Sequence, residues 1–89
     1  MSGFIVSYDL HKYGQNYECL KQKLEAYPKH WKMQQSVWII ESSETSVQIR
    51  DKLLACLDAN DSLFVGHLSG AAWKTFGTQA DGWLIAVIQ

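Results

Sequence analysis

Trp31-Lys32-Met33-Gln34-Gln35-Ser36-Val37-Trp38-Ile39-Ile40-Glu41 decides the fold. Polar residues alternate through its first half, and Val37-Trp38-Ile39-Ile40 is a continuous apolar run. The polar centre, Gln34-Gln35-Ser36, predicts a tight turn or bulge between two strand segments. A short strand is expected at about residues 31–34 and a longer one at about 36–41.

Working outward, Phe4-Ile5-Val6-Ser7-Tyr8-Asp9 upstream alternates like a strand and suits one by residue type. His11 to Gln15 form a polar turn around Gly14. Asn16 fits a helix N-cap, and Tyr17, Leu20, Leu24 and Tyr27 then recur at helical spacing until Pro28 ends the helix. Downstream, Thr45-x-x-Gln48 fits a capping box. Val47, Arg50, Leu54 and Leu57 share a helical stripe, with Leu53 beside it. Asp58-Ala59-Asn60-Asp61 closes this helix in a turn; it lacks the Gly and later Glu of an EF-type calcium loop. Leu63 to Leu68 is a strand, Ala71 to Phe76 one helical turn, and Trp83 to Ile88 a last apolar strand.

The order predicts an α+β fold, a ferredoxin-like β-α-β-β-α-β sandwich with an extra C-terminal strand, in one domain over residues 1–89. Both faces of Trp83–Ile88 and of Val37–Ile40 are apolar. Two short helices cover one sheet face only, so the other face calls for a second copy of the chain, a homodimer.

Composition narrows the function classes. The 89 residues are 47% hydrophobic and 12% aromatic, with four Trp and a formal net charge of −1. This is a globular chain, and any nucleic-acid binding must come from a local basic patch. Cys19 and Cys56 sit in helical stretches and read as small core thiols in a reducing compartment, with an oxidised pair as the alternative. No signal-peptide pattern or long apolar span is visible, so a cytoplasmic location without membrane contact is expected.

The chemistry concentrates at Asp9. An acid closing a strand sits where sheet meets water; it can begin a turn, or hold a hard cation such as Mg²⁺ through oxygen. In a twofold dimer, two Asp9 carboxylates near the axis repel unless a proton or cation lies between them. Ser7 and His11 are the neighbouring candidates for orienting a phosphate or moving a proton. Lys29-His30-Trp31-Lys32, with Lys12, Lys21 and Lys23, makes a candidate basic and aromatic strip for phosphates, with a solvated loop as the alternative. Phosphate loops, nucleophile elbows and Cys-His metal spacing are lacking, and the Phe64 strand has no RNA-recognition pattern.

Taken together, Val6-Ser7-Tyr8-Asp9-Leu10, Gln35-Ser36-Val37-Trp38 and Leu57-Asp58 through Asp61-Ser62-Leu63 resemble motifs of the CRISPR-associated protein 2 family. Their order and spacing agree over about residues 4–68. CRISPR-unlinked SinR-like relatives match as well, and the virulence-associated protein D ribonucleases more distantly. The resemblance implies a ferredoxin-like homodimer and, for Asp9, a metal-ligand role at the dimer interface in members that cleave RNA or DNA. It implies equally a non-catalytic scaffold that binds duplex DNA or a protein partner. Ile39 replaces a family Glu, the first helix mixes Lys21 and Lys23 with Glu18 and Glu25, and residues 70–89 have no counterpart.

Overall fold

The structure is a computed structural model and describes residues 2–10, 17–72, 74, 83, 84 and 87. The elements run β1 (Ser2–Asp9), α1 (Tyr17–Glu25), β2 (Lys29–Gln34), β3 (Val37–Ser42), α2 (Ser46–Leu53), a 3₁₀ turn at Leu54–Cys56, and β4 (Ser62–Leu68). The four strands form one sheet in the order β2-β3-β1-β4 with every neighbouring pair antiparallel. β3 therefore lies between β1 and β2, and β1 between β3 and β4.

The split strand is present. Gln35 and Ser36 make the turn, and the β2–β3 register slips between Lys32 and Gln34. β2 begins two residues earlier than the alternation suggested, because Lys29 and His30 already pair with Glu41 and Ile40. The capping box also holds. Gln48 N donates to Thr45 Oγ1 at 3.1 Å, and Thr45 N donates to Gln48 Oε1 at 2.9 Å. Two backbone donors left over at the start of α2 are thus satisfied locally. Asp58–Asp61 is a turn held by Asp58 N donating to Asp61 Oδ2 at 2.9 Å.

One sheet face packs on the helices. Phe4, Val6 and Tyr8 of β1 and Trp38 and Ile40 of β3 meet Leu20, Leu24, Ile49, Leu53 and Cys56. Trp38 Nε1 donates to Tyr8 Oη at 3.2 Å, so these two buried polar atoms satisfy each other. Burial raises the Tyr8 hydroxyl above the usual tyrosine range, a shift that the Trp38 bond offsets in part. The α2 stripe differs from the one expected. Its core face is Ile49, Leu53 and Cys56, whereas Val47 and Leu54 stand exposed with Arg50. Both sets follow helical spacing, and the one with Ile49 faces the sheet.

Cys19 and Cys56 are joined in a disulfide, with Cα atoms 5.7 Å apart, which corrects the expectation of two reduced thiols. The bridge ties α1 to the 3₁₀ turn after α2. Leu20 and Leu53, each next to or near a bridged cysteine, bring the two helices together in the core, which puts the two sulfurs within reach.

The outer sheet face holds the largest correction. Of the expected C-terminal strand, Trp83, Leu84 and Val87 are described, and all three are helical. Leu84 and Val87, three residues apart, are both buried and pack on Ile39, with Ile5, Trp31, Met33, Leu68 and Trp83 around them. In a strand those two side chains would point to opposite faces; in a helix they share one. A continuous apolar run fits a buried helix as well as a strand. The chain itself therefore covers part of the face assigned above to a second copy.

Candidate functional site

Alternation along β1 turns Ile5, Ser7 and Asp9 toward the outer face. Ile5 lies opposite Ile39 and Gly66, under the C-terminal cover. Ser7 pairs with Val37 on one side and Phe64 on the other, and Asp9 pairs with Ser62. Asp9 and Ser62 are exposed, and Phe64 is 61% exposed. The site is therefore an open corner of the sheet with a carboxylate, two hydroxyls and an aromatic ring on one face.

Among the described residues, no group of three or more His, Cys, Asp or Glu could hold a metal ion by itself. Mg²⁺ is commonly held by one or two carboxylates, with water and phosphate oxygens completing its shell. Asp9 fits as one such ligand, not as a complete site. His11 and Lys12, the other candidates on this side, lie outside the described residues.

The expected basic strip is divided by strand alternation. Lys29 and Trp31 fall on the outer face of β2, and Lys32 on the helix side. Lys29 Nζ is 3.8 Å from a Glu41 carboxylate oxygen. Trp31 stands edge-on to Trp83, with ring centroids 6.1 Å apart, and belongs to the outer-face cluster. Its ring packs with Leu84 and Val87 in that cluster, whereas Lys29 and Lys32 are both exposed.

A second polar cluster escaped the sequence reading. Tyr27 Oη donates to Glu44 Oε1 at 2.9 Å, Ser42 Oγ donates to the same oxygen at 3.1 Å, and Lys52 Nζ lies 2.7 Å from Glu44 Oε2. The Lys52 ammonium also sits 5.3 Å from the Tyr27 ring centroid. Glu44 thus joins the end of α1, the end of β3 and the body of α2. No periodicity links Tyr27 with Glu44; only the α1–β2 connection and the Thr45 cap bring them together.

The Lys52 bond holds the Glu44 carboxyl below the usual glutamate range, with desolvation opposing it and the Tyr27 and Ser42 bonds assisting. Burial pushes the Tyr27 hydroxyl up, and its bond to Glu44 adds to the shift. For Glu44 the folded state binds a proton less readily than the unfolded chain. Its stabilisation is complete above the usual glutamate range and is lost as pH falls through the folded value. Glu44→Gln is expected to lower stability at neutral pH and to flatten the decline in urea midpoint on acidification. An unchanged acid slope in that variant counts against the cluster.

No protein-family model, no curated protein and no solved structure matches this chain. Among the described residues, no helix is long and apolar enough to cross a membrane.

Proposed function

We propose that the chain is a ferredoxin-like relative of the CRISPR-associated protein 2 family that cleaves RNA or DNA phosphodiesters as a Mg²⁺-dependent homodimer. The observation that carries the reading is Asp9, exposed at the end of a central strand on the same face as Ser7. The strand order β2-β3-β1-β4, with each helix crossing one intervening strand, supports the fold assignment. With one carboxylate per chain, a second copy supplies the second ligand. Bound there, Mg²⁺ supplies positive charge to a scissile phosphate and makes a bound water easier to deprotonate. Ser7 contributes a hydroxyl donor for a phosphate oxygen, and His11 a proton-transfer group.

The second reading is a non-catalytic dimer that binds nucleic acid or a protein. Among the described residues no group of three or more His, Cys, Asp or Glu could hold a metal ion, and this reading asks for none. Both readings place the protein in the cytoplasm, where thiols are ordinarily kept reduced; the Cys19–Cys56 bridge weighs against that location.

Labelled RNA and duplex DNA incubated with Mg²⁺ separate the two. Wild-type protein is expected to cleave and Asp9→Asn to lose that activity. Equal cleavage by both proteins would rule out the nuclease reading. Absent cleavage, together with salt-sensitive binding that weakens on changing Lys29 and Lys32, establishes the scaffold. A stable monomer on sizing overturns the shared site.

A further inference from the structure

β2 and β4 are the two edges of the sheet. An edge strand offers unpaired backbone groups to any other strand, and proteins ordinarily blunt it with charges, Pro or an irregular register. β2 is blunted in this way. It carries Lys29 and Lys32, and its pairing slips between Lys32 and Gln34. β4, Ser62-Leu63-Phe64-Val65-Gly66-His67-Leu68, has no Lys, Arg, Asp, Glu or Pro and pairs with β1 without a break. Among the described residues, no strand pairs with its other side.

The backbone groups on that open side can be assigned. Tyr8 N donates to Ser36 O at 3.1 Å, so Tyr8 directs its amide toward the β3 side. Hydrogen-bonding direction alternates along an antiparallel strand. Gly3, Ile5, Ser7 and Asp9 therefore turn their groups toward β4. Their partners Leu68, Gly66, Phe64 and Ser62 turn theirs toward β1. Leu63, Val65 and His67 are left, each with an N–H and a C=O directed away from the sheet. These three residues fit a second copy of themselves. In an antiparallel pairing about Val65, Val65 meets Val65, and Leu63 meets His67 on either side of it. No other antiparallel self-pairing engages all three residues, and here each pair exchanges both backbone bonds.

The same register sets Phe64 opposite Gly66 of the other copy. Phe64 is 61% exposed, and a Cβ on Gly66 would lie 2.8 Å from Phe64 Cε2, so the bare backbone of Gly66 already accepts this ring. An aromatic ring covering an edge glycine across strands pins the register. On the helix-covered face, exposed Val47 lines a groove of about 240 Å³ with Leu63 and Val65, and exposed Leu54 lines one of about 430 Å³ with Leu57 and Leu63. Exposed apolar surface thus borders β4 on both faces of the sheet. We infer that β4 is the contact through which two copies of this chain join, antiparallel and twofold about Val65, into one continuous sheet. This contact goes beyond the reading above and is independent of it. Asp9 pairs with Ser62, which falls opposite Leu68 of the other copy, so the two Asp9 carboxylates are not neighbours across this seam.

Cross-linking and sedimentation equilibrium test this together. Val65→Cys, at the twofold position, puts two thiols at a Cα separation of about 5.5 Å, which a disulfide accepts. Mild oxidation is expected to give a covalent dimer, and Asp9→Cys is the control for a dimer built at Asp9. In sedimentation the wild type is expected to dimerise. His67→Pro removes one outward N–H from each chain and is expected to weaken dimerisation roughly 5- to 150-fold, since two equivalent hydrogen bonds are lost. Pro is tolerated on an edge strand where the N–H faces away from the sheet. Phe64→Lys is also expected to weaken dimerisation, because two like charges then lie diagonally across the seam; its position is exposed, so it decides the matter should His67→Pro fail to fold. A wild type that stays monomeric at every concentration overturns the inference, as does a Phe64→Lys variant that dimerises as tightly as wild type. Cross-linking at Asp9→Cys but not at Val65→Cys overturns it and upholds the shared Asp9 site. Cross-linking at Val65→Cys alone upholds the seam and refutes the shared site, and cross-linking at both positions upholds both.

Discussion

Replacing Cys19 and Cys56 together by Ala is expected to lower the unfolding free energy by about 4 kcal/mol. The cysteines are 37 residues apart in sequence. Closing a loop of that length in the unfolded chain removes entropy worth about 4 kcal/mol at 25 °C in the chain-entropy treatment. For a domain of 89 residues that is a large part of the total, which ordinarily lies at about 5–15 kcal/mol. The effect is concentrated where the bridge acts. It anchors α1, only nine residues long, to the turn after α2. A helix of that length is marginal by itself and depends on its tertiary contacts.

Urea unfolding of wild type with and without a dithiol reductant checks the prediction. The reduced wild type should approach the double-alanine protein, and the oxidised protein should have the higher midpoint. Identical curves with and without reductant would show that the thiols are not bridged. Cys56 is buried and Cys19 partly so, hence each Ala substitution also removes some packing. The comparison of oxidised with reduced wild type isolates the cross-link from that loss. It also bears on location, since disulfides persist mainly in oxidising compartments.

The sheet and both helices were legible wherever a short-range signal existed. Alternation located β1, the polar Gln34–Ser36 break located the turn between β2 and β3, and Thr45 with Gln48 located the start of α2. Pairing Asp9 with an open strand end needed only alternation. What escaped depended on contacts far apart in sequence. Val47–Leu54 and Ile49–Cys56 have the same spacing, so periodicity could not choose which stripe faced the sheet. The bridge required knowing that α1 and the turn after α2 meet. Glu44 reads as a surface acid ahead of a cap until Tyr27 and Lys52 close on it. The run from Trp83 to Ile88 was apolar on every side, which removes the very pattern that separates strand from helix. The outer face calls less strongly for a second copy, because Leu84 and Val87 already cover Ile39.

Gly3→Ala tests that cover most directly and is expected to destabilise the protein by about 1–3 kcal/mol, the usual range for overpacking a close-packed site. A Cβ on Gly3 would lie 2.6 Å from Val87 Cγ1 and 3.0 Å from the Val87 carbonyl oxygen. The side-chain clash can be relieved by truncating Val87; the backbone contact cannot. Val87 is 2% exposed, so Val87→Ala by itself also lowers stability, through lost burial. Combined, the two substitutions should cost less than the sum of their separate effects, because the second removes the atom that the first strikes. A double-mutant cycle from four urea curves reads this coupling directly. Release of Leu84 and Val87 in Gly3→Ala would also bare Ile5, Ile39 and Leu68, so dye binding to apolar surface should rise and self-association should increase with it. Strict additivity, with no gain in dye binding, would mean that Val87 does not sit on Gly3. The outer face would then need its cover from another chain, as a second copy would supply.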